Sequence, residues 1–286
     1  MSKQGRQKRV AAIHDISCFG KCSLTVALPI ISATGIEVSV IPTAVLSTHT
    51  GGFAGFTYRD LTEDIQPIVS HWDSLGIEFD ALYTGFLGSF EQISIVSDIF
   101  DLYKKQGSLL VVDPVMGDNG SLYQVFDQDF PAGMRRLCEK ADIIVPNITE
   151  ALLLLGEPYE EGPYTKDYVE SLLNKLADLG SPRVVLTGVY FSAEKLGAAS
   201  LDKKTNTISY ALSDRIEGSY HGTGDVYASA LLSAILNGAP LARAIKIAVD
   251  FTVGSIARTR KAHTDVRYGV NFEAGLLSLA QELAVL

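Results

Sequence analysis

A glycine-rich turn that runs directly into an apolar segment is the feature of this sequence best suited to phosphate chemistry. Gly222 and Gly224 flank Thr223, Asp225 follows, and the Ala- and Leu-rich residues after it predict a helix. Backbone N–H groups at such a helix start lack intrahelical partners and lie at the positive end of the helix dipole, so a phosphate can bind there. The turn lacks the Lys of a nucleoside-triphosphate P-loop, and Tyr227 stands where a dinucleotide fingerprint needs its third glycine. We therefore expect a phosphate-binding turn of another class.

Asp225 has two interpretations at this position. Spacing alone favours a capping role at the start of the predicted helix. The carboxylate could equally act as a general base that accepts the proton of a substrate hydroxyl, while the turn amides and a metal ion stabilise the transferred phosphoryl group. The two roles are compatible, because the helix dipole favours the ionised form that a base requires.

The surrounding elements predict an α/β fold, a three-layer α/β/α arrangement with a mostly parallel central sheet. Short apolar runs alternate with segments of helical period, and a late pair of runs, Gly197–Ser200 and Thr207–Leu212, predicts an antiparallel edge. No composition shift or repeat divides the chain, so we expect one domain over residues 1–286 with a disordered tail at residues 1–8. The predicted parallel strands are Arg9–Ile13, Glu37–Pro42, Ala81–Tyr83, Leu109–Val112, Asp142–Val145 and Arg183–Leu186.

Polar and glycine residues follow these strands. Ligands of open α/β sheets bind outside the carboxyl ends of the strands, so residues placed there are candidates for a site. In strand order they include Asp15 and Ser17, Thr50, Thr84 and Gly85 before Phe86, Asp113 and Asp118, Asn147 and Glu150, and Thr187 and Gly188.

Composition limits the classes of function. The 286 residues carry a formal net charge of −9, which argues against a general nucleic-acid or anionic-membrane binder but allows a local phosphate site. Three cysteines without metal-ligand spacing predict neither a disulfide framework nor a zinc site, so we expect a cytoplasmic protein. The apolar run Val10–Ile13 is too short for a signal peptide, and no run approaches the ~20 apolar residues of a membrane span.

In this order, the motifs resemble those of the ribokinase superfamily. G-T-G-D at residues 222–225 resembles its anion hole and catalytic Asp, and N-x-x-E at residues 147–150 resembles its magnesium motif. Within the superfamily, D-P-V-M-G-D at residues 113–118, G-S-L-Y at residues 120–123 and T-G-F-L-G-S at residues 84–89 are similar to the pyridoxal kinases.

The resemblance extends from about Val10 to about Ala257 and implies a ribokinase-like fold. It implies ATP-dependent phosphorylation of the 5′-hydroxyl of a B6 vitamer (pyridoxal, pyridoxine or pyridoxamine) by a homodimer that uses Mg²⁺. It leaves open whether a monovalent cation such as K⁺ is also required.

The resemblance also implies a role for each motif. It makes Asp225 the catalytic base and assigns the anion hole to Gly222, Thr223 and Gly224. Mg²⁺ would lie on Asn147, Glu150 and Asp113, directly or through water. At the nucleotide, the resemblance implies Asp113, Asp118, Tyr123, Asn147, Glu150, Thr187 and Gly188. At the acceptor, it implies Asp15, Ser17, Thr50 and Phe86.

Several of these side chains also have structural interpretations. Asp113 could simply end a strand, Glu150 could be an exposed helix residue, Phe86 could be ordinary core, and Asp15 could cap its own turn. Histidine residues near strand ends or beside the turn are more often hydrogen-bonded structural imidazoles than catalytic groups, and this interpretation is favoured for His14, His49 and His221.

The acceptor end departs from the family pattern and leaves the substrate open. Residues 14–21 differ from the first-strand loop of the better-known pyridoxal kinases, and residues 48–52 match in part. One alternative is a hydroxymethylpyrimidine kinase of the same superfamily, since that aromatic alcohol is of similar size. Another is a catalytically silent binding protein on the same fold, against which the retention of Asp225 and Glu150 argues.

Overall fold

A nine-stranded sheet forms the centre of the structure, a computed structural model that describes residues 6–285. The strands within these residues are β1 (Arg9–Ser17), β2 (Glu37–Leu46), β3 (Tyr58–Asp60), β4 (Ala81–Thr84), β5 (Leu109–Val112), β6 (Gly117–Asp118), β7 (Ser121–Leu122), β8 (Ile143–Ile144), β9 (Arg183–Val189), β10 (Lys195–Asp202) and β11 (Thr207–Asp214). The spatial order is β11-β10-β9-β8-β5-β4-β1-β2-β3, while β6 and β7 form a separate hairpin. The six neighbouring strands from β9 to β2 pair in parallel. The pairs β9–β10, β10–β11 and β2–β3 are antiparallel. The predicted mostly parallel sheet with a late antiparallel edge is confirmed.

Helices cover both faces of the sheet. One core packs α2 to α6 against one face, and the other core packs α1 and α7 to α9 against the opposite face. This arrangement confirms the three-layer α/β/α architecture. The helices are α1 (Leu24–Ala33), α2 (Thr62–Ser74), α3 (Phe90–Lys105), α4 (Phe130–Cys138), α5 (Ile148–Leu155), α6 (Lys166–Asp178), α7 (Thr223–Leu236), α8 (Leu241–Lys261) and α9 (Leu276–Leu283).

The central strand β1 shows why the sheet needs helices on both faces. Ala11 and Ile13 lie in the core on the α2 to α6 side, whereas Val10 lies in the core on the α7 side, and all three are fully buried. A strand buried on both faces is typical of parallel sheets, whose crossover helices cover both sides. No helix of residues 6–285 is long and apolar enough to span a bilayer.

Four of the predicted parallel strands, β1, β2, β4 and β9, extend beyond their predicted ends. The prediction ended β1 at Ile13, but the strand continues to Ser17, so Asp15 lies inside the strand instead of after it. Polar side chains ended the sequence pattern, whereas pairing with β2 continues at Ile16 and Ser17 after a register shift that follows His14. Tertiary pairing therefore outweighs local polarity here.

The sequence pattern did not predict the short strands β3, β6 and β7. They contain two or three residues each, which is too short for a recognisable alternation. The hairpin of β6 and β7 follows β5 and contacts α5, so it lies over the carboxyl edge of the parallel strands.

The predicted tail at residues 1–8 is described only in part, because residues 1–5 lie outside the described residues. Arg6 Nη1 donates a hydrogen bond to Asp80 Oδ2 at 2.8 Å. The Lys8 ammonium donates to the carbonyl oxygen of Leu236 at the end of α7. The segment next to β1 therefore contacts the body of the protein.

Candidate active site

The turn before α7 is open on the side where a phosphate would lie. Gly222 is the N-cap of α7 and has a φ of +74°, and a Cβ atom there would overlap the carbonyl oxygen of Lys21. Glycine is therefore required at position 222, because a positive φ disfavours other residues and the Lys21 carbonyl oxygen leaves no space for a Cβ atom. A Cβ atom at Gly224 would meet no heavy atom within 4 Å, so the first turn of the helix faces free space. Thr223 Oγ1 donates to the carbonyl oxygen of Tyr220 at 3.2 Å and steadies the turn.

Asp225 is the third residue of α7, so the prediction that it caps the helix is wrong in its simplest form. The cap position belongs to Gly222, which has no side chain to offer. Burial raises the pKa of Asp225 to about 7, the negative charge of Asp15 adds to this effect, and hydrogen bonding from the Ser23 backbone opposes it. A carboxyl group with a pKa near neutrality matches what a general base requires at physiological pH.

Asn147 and Glu150 form a capping box at the start of α5. Asn147 Oδ1 accepts from the Glu150 N–H and Glu150 Oε2 accepts from the Asn147 N–H, both at 2.9 Å. Glu150 Oε1 also accepts from the Met116 N–H at 3.2 Å, and Asn147 Nδ2 donates to the Gly117 carbonyl oxygen at 2.9 Å. The motif thus connects α5 to the segment after β5. The interpretation of Glu150 as an exposed helix residue is wrong, because the residue is 4% exposed.

Asp113 adds a second buried carboxyl group beside this box. It follows β5 and is buried, and its pKa is raised well above the usual range by burial and then by the charges of Glu150 and Asp225. Burial likewise raises the pKa of Glu150 to about 8 against the opposing backbone hydrogen bonds. None of the ion pairs within residues 6–285 involves these three carboxyl groups. No Lys or Arg side chain of the described residues therefore neutralises them by an ion pair.

The donor set fits a hard cation such as Mg²⁺, which prefers carboxylate, carbonyl and water oxygens. A cation would restore the ionised forms that burial disfavours. Within the described part of the chain, however, no group of three or more His, Cys, Asp or Glu side chains is placed to hold an ion by itself. An ion held by these residues would therefore take its remaining ligands from water and from a bound phosphate.

The nucleotide-side residues of the prediction lie around the capping box. Burial, and then the charges of the Glu150, Asp118, Asp113 and Asp225 carboxylates, raise the pKa of Tyr123, so its hydroxyl lies close enough to interact with them. Asp118 itself is exposed on β6 and accepts from the N–H of the next residue at 2.8 Å. The side chains of Tyr123 and Asp118 thus line the exposed rim of the carboxylate cluster.

Thr187 and Gly188 lie at the end of β9, next to Asn147. The Thr187 N–H donates to the Pro146 carbonyl oxygen at 2.9 Å, and Thr187 pairs with Asn147 as an isolated parallel bridge. Gly188 has a φ of +76°, and a Cβ atom there would contact only Ile148 Cγ1 at 3.9 Å. This strand end leaves free space beside the capping box.

The acceptor-side residues are less closely grouped. Asp15 is buried in β1 rather than in a turn, Ser17 Oγ donates to its Oδ2 at 3.2 Å, and burial raises its pKa. Asp15 and Asp225 are close enough for their charges to interact. Thr50 is exposed in the loop after β2, and the half-buried ring of Phe86 packs 5.5 Å from that of Phe126. The structure brings Asp15 to the carboxylate cluster but shows no contact between Thr50 or Phe86 and that cluster.

Ser23 is a functional candidate that the sequence analysis missed. It has a φ of +53°, an uncommon backbone conformation for a residue with a side chain. Its backbone forms a hydrogen bond with the Asp225 carboxylate, and its side chain forms one with the Asp15 carboxylate. A serine carries no sequence signal for a positive φ, so only the structure reveals this bridge between the two carboxylates.

His14 contradicts the expectation of a hydrogen-bonded structural imidazole. The residue is fully buried, and neither ring nitrogen has a hydrogen-bond partner within residues 6–285. Burial lowers its pKa to about 3, so the ring is neutral. It packs edge-on against Tyr83 with the ring centroids 4.4 Å apart. The neutral ring therefore packs in the protein interior as an apolar side chain would.

Comparison with known proteins agrees with this geometry. The family model for phosphomethylpyrimidine kinase matches residues 31–269. The pyridoxal kinase of Lactobacillus plantarum is 35% identical, with a TM-score of 0.86 over 96% of this chain and 97% of that one. A provisionally assigned phosphomethylpyrimidine kinase of Bacteroides thetaiotaomicron, in a crystal form with pyridoxal, is 38% identical, with a TM-score of 0.91 over 96% of each chain. The pyridoxine/pyridoxal/pyridoxamine kinase of Bordetella avium is 26% identical over 88% of this chain and 86% of its own length.

The fold and the site together define a phosphotransferase with an alcohol group as acceptor. The chain belongs to the pyridoxal kinase family of the ribokinase superfamily.

Proposed function

We propose that this protein is an ATP-dependent kinase that phosphorylates the 5′-hydroxyl of a B6 vitamer. The observation that carries the proposal is the placement of Asp225, with its pKa near 7, directly after the open turn at Gly222 to Gly224. The relatives named for pyridoxal, pyridoxine and pyridoxamine support the choice of acceptor.

In the proposed reaction, Asp225 accepts the proton of the substrate hydroxyl as its oxygen attacks the γ-phosphorus of ATP. A new bond forms between that oxygen and phosphorus, the bond to the bridging oxygen breaks, and ADP leaves with the electron pair. Backbone N–H groups of residues 222–224 stabilise the negative charge on the transferred group. The proton on Asp225 passes to solvent after release of the 5′-phosphate.

Asn147, Glu150 and Asp113 would hold Mg²⁺, directly or through water, and the ion would neutralise phosphate charge during transfer. In this chain the capping box fixes the start of α5 and binds the backbone of Met116 and Gly117, in the segment that follows Asp113. Asp118, Tyr123, Thr187 and Gly188 are proposed to line the nucleotide. Asp15, Ser17, Thr50 and Phe86 are proposed to contact the acceptor.

A hydroxymethylpyrimidine kinase is the second candidate function. It is favoured by the family model itself, which is the one for phosphomethylpyrimidine kinase. The buried carboxyl group of Asp15 could accept a hydrogen bond from an aminopyrimidine as well as from a protonated pyridine ring.

A substrate panel with ATP and MgCl₂ separates the two functions. Pyridoxal, pyridoxine, pyridoxamine and hydroxymethylpyrimidine are compared by ADP formation, with Asp225→Asn as the control for background hydrolysis. We expect kcat/KM to be higher for at least one B6 vitamer than for the pyrimidine. Equal or better use of the pyrimidine would assign the second function instead.

We further propose that the chain is a single catalytic domain that acts as a homodimer in the cytoplasm. Sedimentation equilibrium of the purified protein tests the dimer, since a mass near twice the 30.8 kDa of the chain is expected.

A further inference from the structure

His49 makes two hydrogen bonds that connect distant parts of the chain. Its Nδ1 accepts from the Gly51 N–H at 3.1 Å, and its Nε2 lies 2.6 Å from the carbonyl oxygen of Arg267. Because Nδ1 is an acceptor, the neutral ring must carry its proton on Nε2 and donate to Arg267. One side chain therefore satisfies a donor in its own loop and an acceptor from a segment 218 residues away.

The chain around the ring leaves space for this imidazole and for little else. His49 is 6% exposed. Gly20 has a φ of +84°, and a Cβ atom there would overlap the His49 ring. A Cβ atom at Gly51 would lie 2.6 Å from His221 Nδ1, and the rings of His49 and His221 are 5.1 Å apart.

Four segments meet at this ring. They are the loop after β1 with Gly20, the loop after β2 with Thr50, the residue His221 beside the anion hole, and the segment from Val266 to Gly269. The Lys21 N–H also donates to the Tyr268 carbonyl oxygen at 3.0 Å, which joins the first of these segments to the last. The segment from Val266 to Gly269 thus packs against the loop after β1 and the loop that carries Thr50.

We propose that His49 is a positioning residue for the acceptor pocket. It holds the loop that carries Thr50 against Arg267 on one side and against His221 on the other. This inference rests on the proposed function, since it assigns Thr50 to acceptor binding. It predicts that His49 affects the affinity for the acceptor alcohol and leaves the nucleotide end unchanged.

The test compares His49→Phe with His49→Asn. Phe keeps a ring of similar size but loses both hydrogen bonds, whereas Asn can accept from the Gly51 N–H as in an Asx turn and loses only the bond to Arg267. For His49→Phe we expect the KM for pyridoxal to rise at least about tenfold, with the KM for ATP and kcat within about threefold of wild type. For His49→Asn we expect a KM for pyridoxal between those of the wild type and the Phe variant. The variant His71→Asn, on the exposed side of α2, is the matched control and should change none of these constants.

A KM for pyridoxal within twofold of wild type in the Phe variant would overturn the proposal. An Asn variant no better than Phe would also overturn it, because the bond to Gly51 would then position nothing.

Hydrogen exchange measured by mass spectrometry supplies a readout that needs no substrate. We expect faster exchange in His49→Phe over both residues 47–53 and residues 265–269, and unchanged exchange in both would overturn the proposal even if the Phe variant is less stable. If the wild type phosphorylates no B6 vitamer, the proposed function fails while the exchange result still decides the role of His49.

Discussion

The nucleotide half and the acceptor half of the candidate site are held together in different ways. In the nucleotide half, Asn147 and Glu150 bond to each other's backbone and to Met116 and Gly117, so all partners come from two neighbouring segments. In the acceptor half, His49 bonds to Arg267 across 218 residues. The nucleotide half is thus organised by a local helix cap, whereas the acceptor half requires the complete fold.

From this difference we expect that the acceptor half can vary more easily than the nucleotide half. A capping box restricts which residues can occupy its two positions, because both side chains must reach backbone N–H groups. The acceptor half is built from loops, and loops tolerate sequence change better than helix starts held by a capping box. The acceptor specificity of the site can therefore change while the phosphate end stays constant.

Asp225 lies where the two halves meet, and its replacement should have the largest effect. We expect Asp225→Asn to lower kcat by ~10²–10⁴ while ATP binding stays nearly intact, because Asn retains the shape but cannot accept a proton. Steady-state rates and calorimetric ATP binding measure the two quantities. Asp98→Asn on the exposed face of α3 is the control. Near-normal turnover in Asp225→Asn would remove this residue from the mechanism.

The pH dependence of turnover follows from the same group. Since the pKa of Asp225 is raised to about 7, the base is ionised above pH 7 and protonated below it. We expect kcat/KM to fall about tenfold for each pH unit below 7, and this limb to be absent from the residual activity of Asp225→Asn. A flat profile between pH 5 and pH 8 in the wild type would contradict this assignment.

The two glycines of the turn should separate folding from catalysis. Gly222→Ala places a Cβ atom on the Lys21 carbonyl oxygen at a positive φ, so we expect a loss of stability of about 1–3 kcal/mol together with turnover. Gly224→Ala meets no atom of the chain and replaces a helical glycine, so we expect a melting temperature equal to or above that of wild type but a loss of turnover of about tenfold or more, because the methyl group would enter the space proposed for the phosphate. Thermal melts and initial rates of both variants provide the comparison. Full turnover in Gly224→Ala would show that the phosphate lies elsewhere.

The sequence predicted the nucleotide half more completely than the acceptor half. The N-x-x-E spacing of Asn147 and Glu150 is itself a capping-box signal, and the G-T-G-D turn predicts a helix start. Both features are local, so they survive in a single sequence. By contrast, the bond from His49 to Arg267 and the positive φ of Ser23 arise from tertiary packing, which leaves no local pattern. The extension of β1 to Ser17 was missed for the same reason, since only its pairing with β2 shows it.

Metal dependence tests whether the nucleotide half does more than cap a helix. We expect Glu150→Gln to raise the MgCl₂ concentration for half-maximal rate severalfold, because it removes a carboxylate from the cluster around Asp113. The amide still fills the cavity, and its single oxygen can accept one of the backbone N–H groups. Initial rates over a MgCl₂ titration at saturating pyridoxal measure the effect, with His71→Asn as the control. An unchanged titration would limit Glu150 to its capping role.

The smallest predicted effect is a pH dependence of stability that has opposite signs in the two halves. Glu150 has a pKa of about 8 in the folded protein and an ordinary value of 4.5, so between these values the folded state holds a proton that the unfolded chain has lost. Stability without Mg²⁺ should therefore fall as the pH rises from 6 to 8, by at most about 1.4 kcal/mol per pH unit for this one group. His49 acts in the other direction. Burial lowers its pKa from 6.5, so below that value the unfolded chain binds more protons than the folded protein, and stability rises with pH up to about 6.5.

Thermal melts between pH 5 and pH 8 without metal separate these two contributions. Relative to wild type, Glu150→Gln should show a smaller loss of melting temperature between pH 6 and pH 8, because glutamine does not titrate. His49→Asn should instead lose part of the rise that the wild type shows below pH 6.5. Adding MgCl₂ should reduce the pH dependence that Glu150 causes and leave that of His49 unchanged, since a cation favours the ionised carboxylates alone. Identical pH profiles for wild type and both variants would mean that neither Glu150 nor His49 differs in protonation between the folded and the unfolded state.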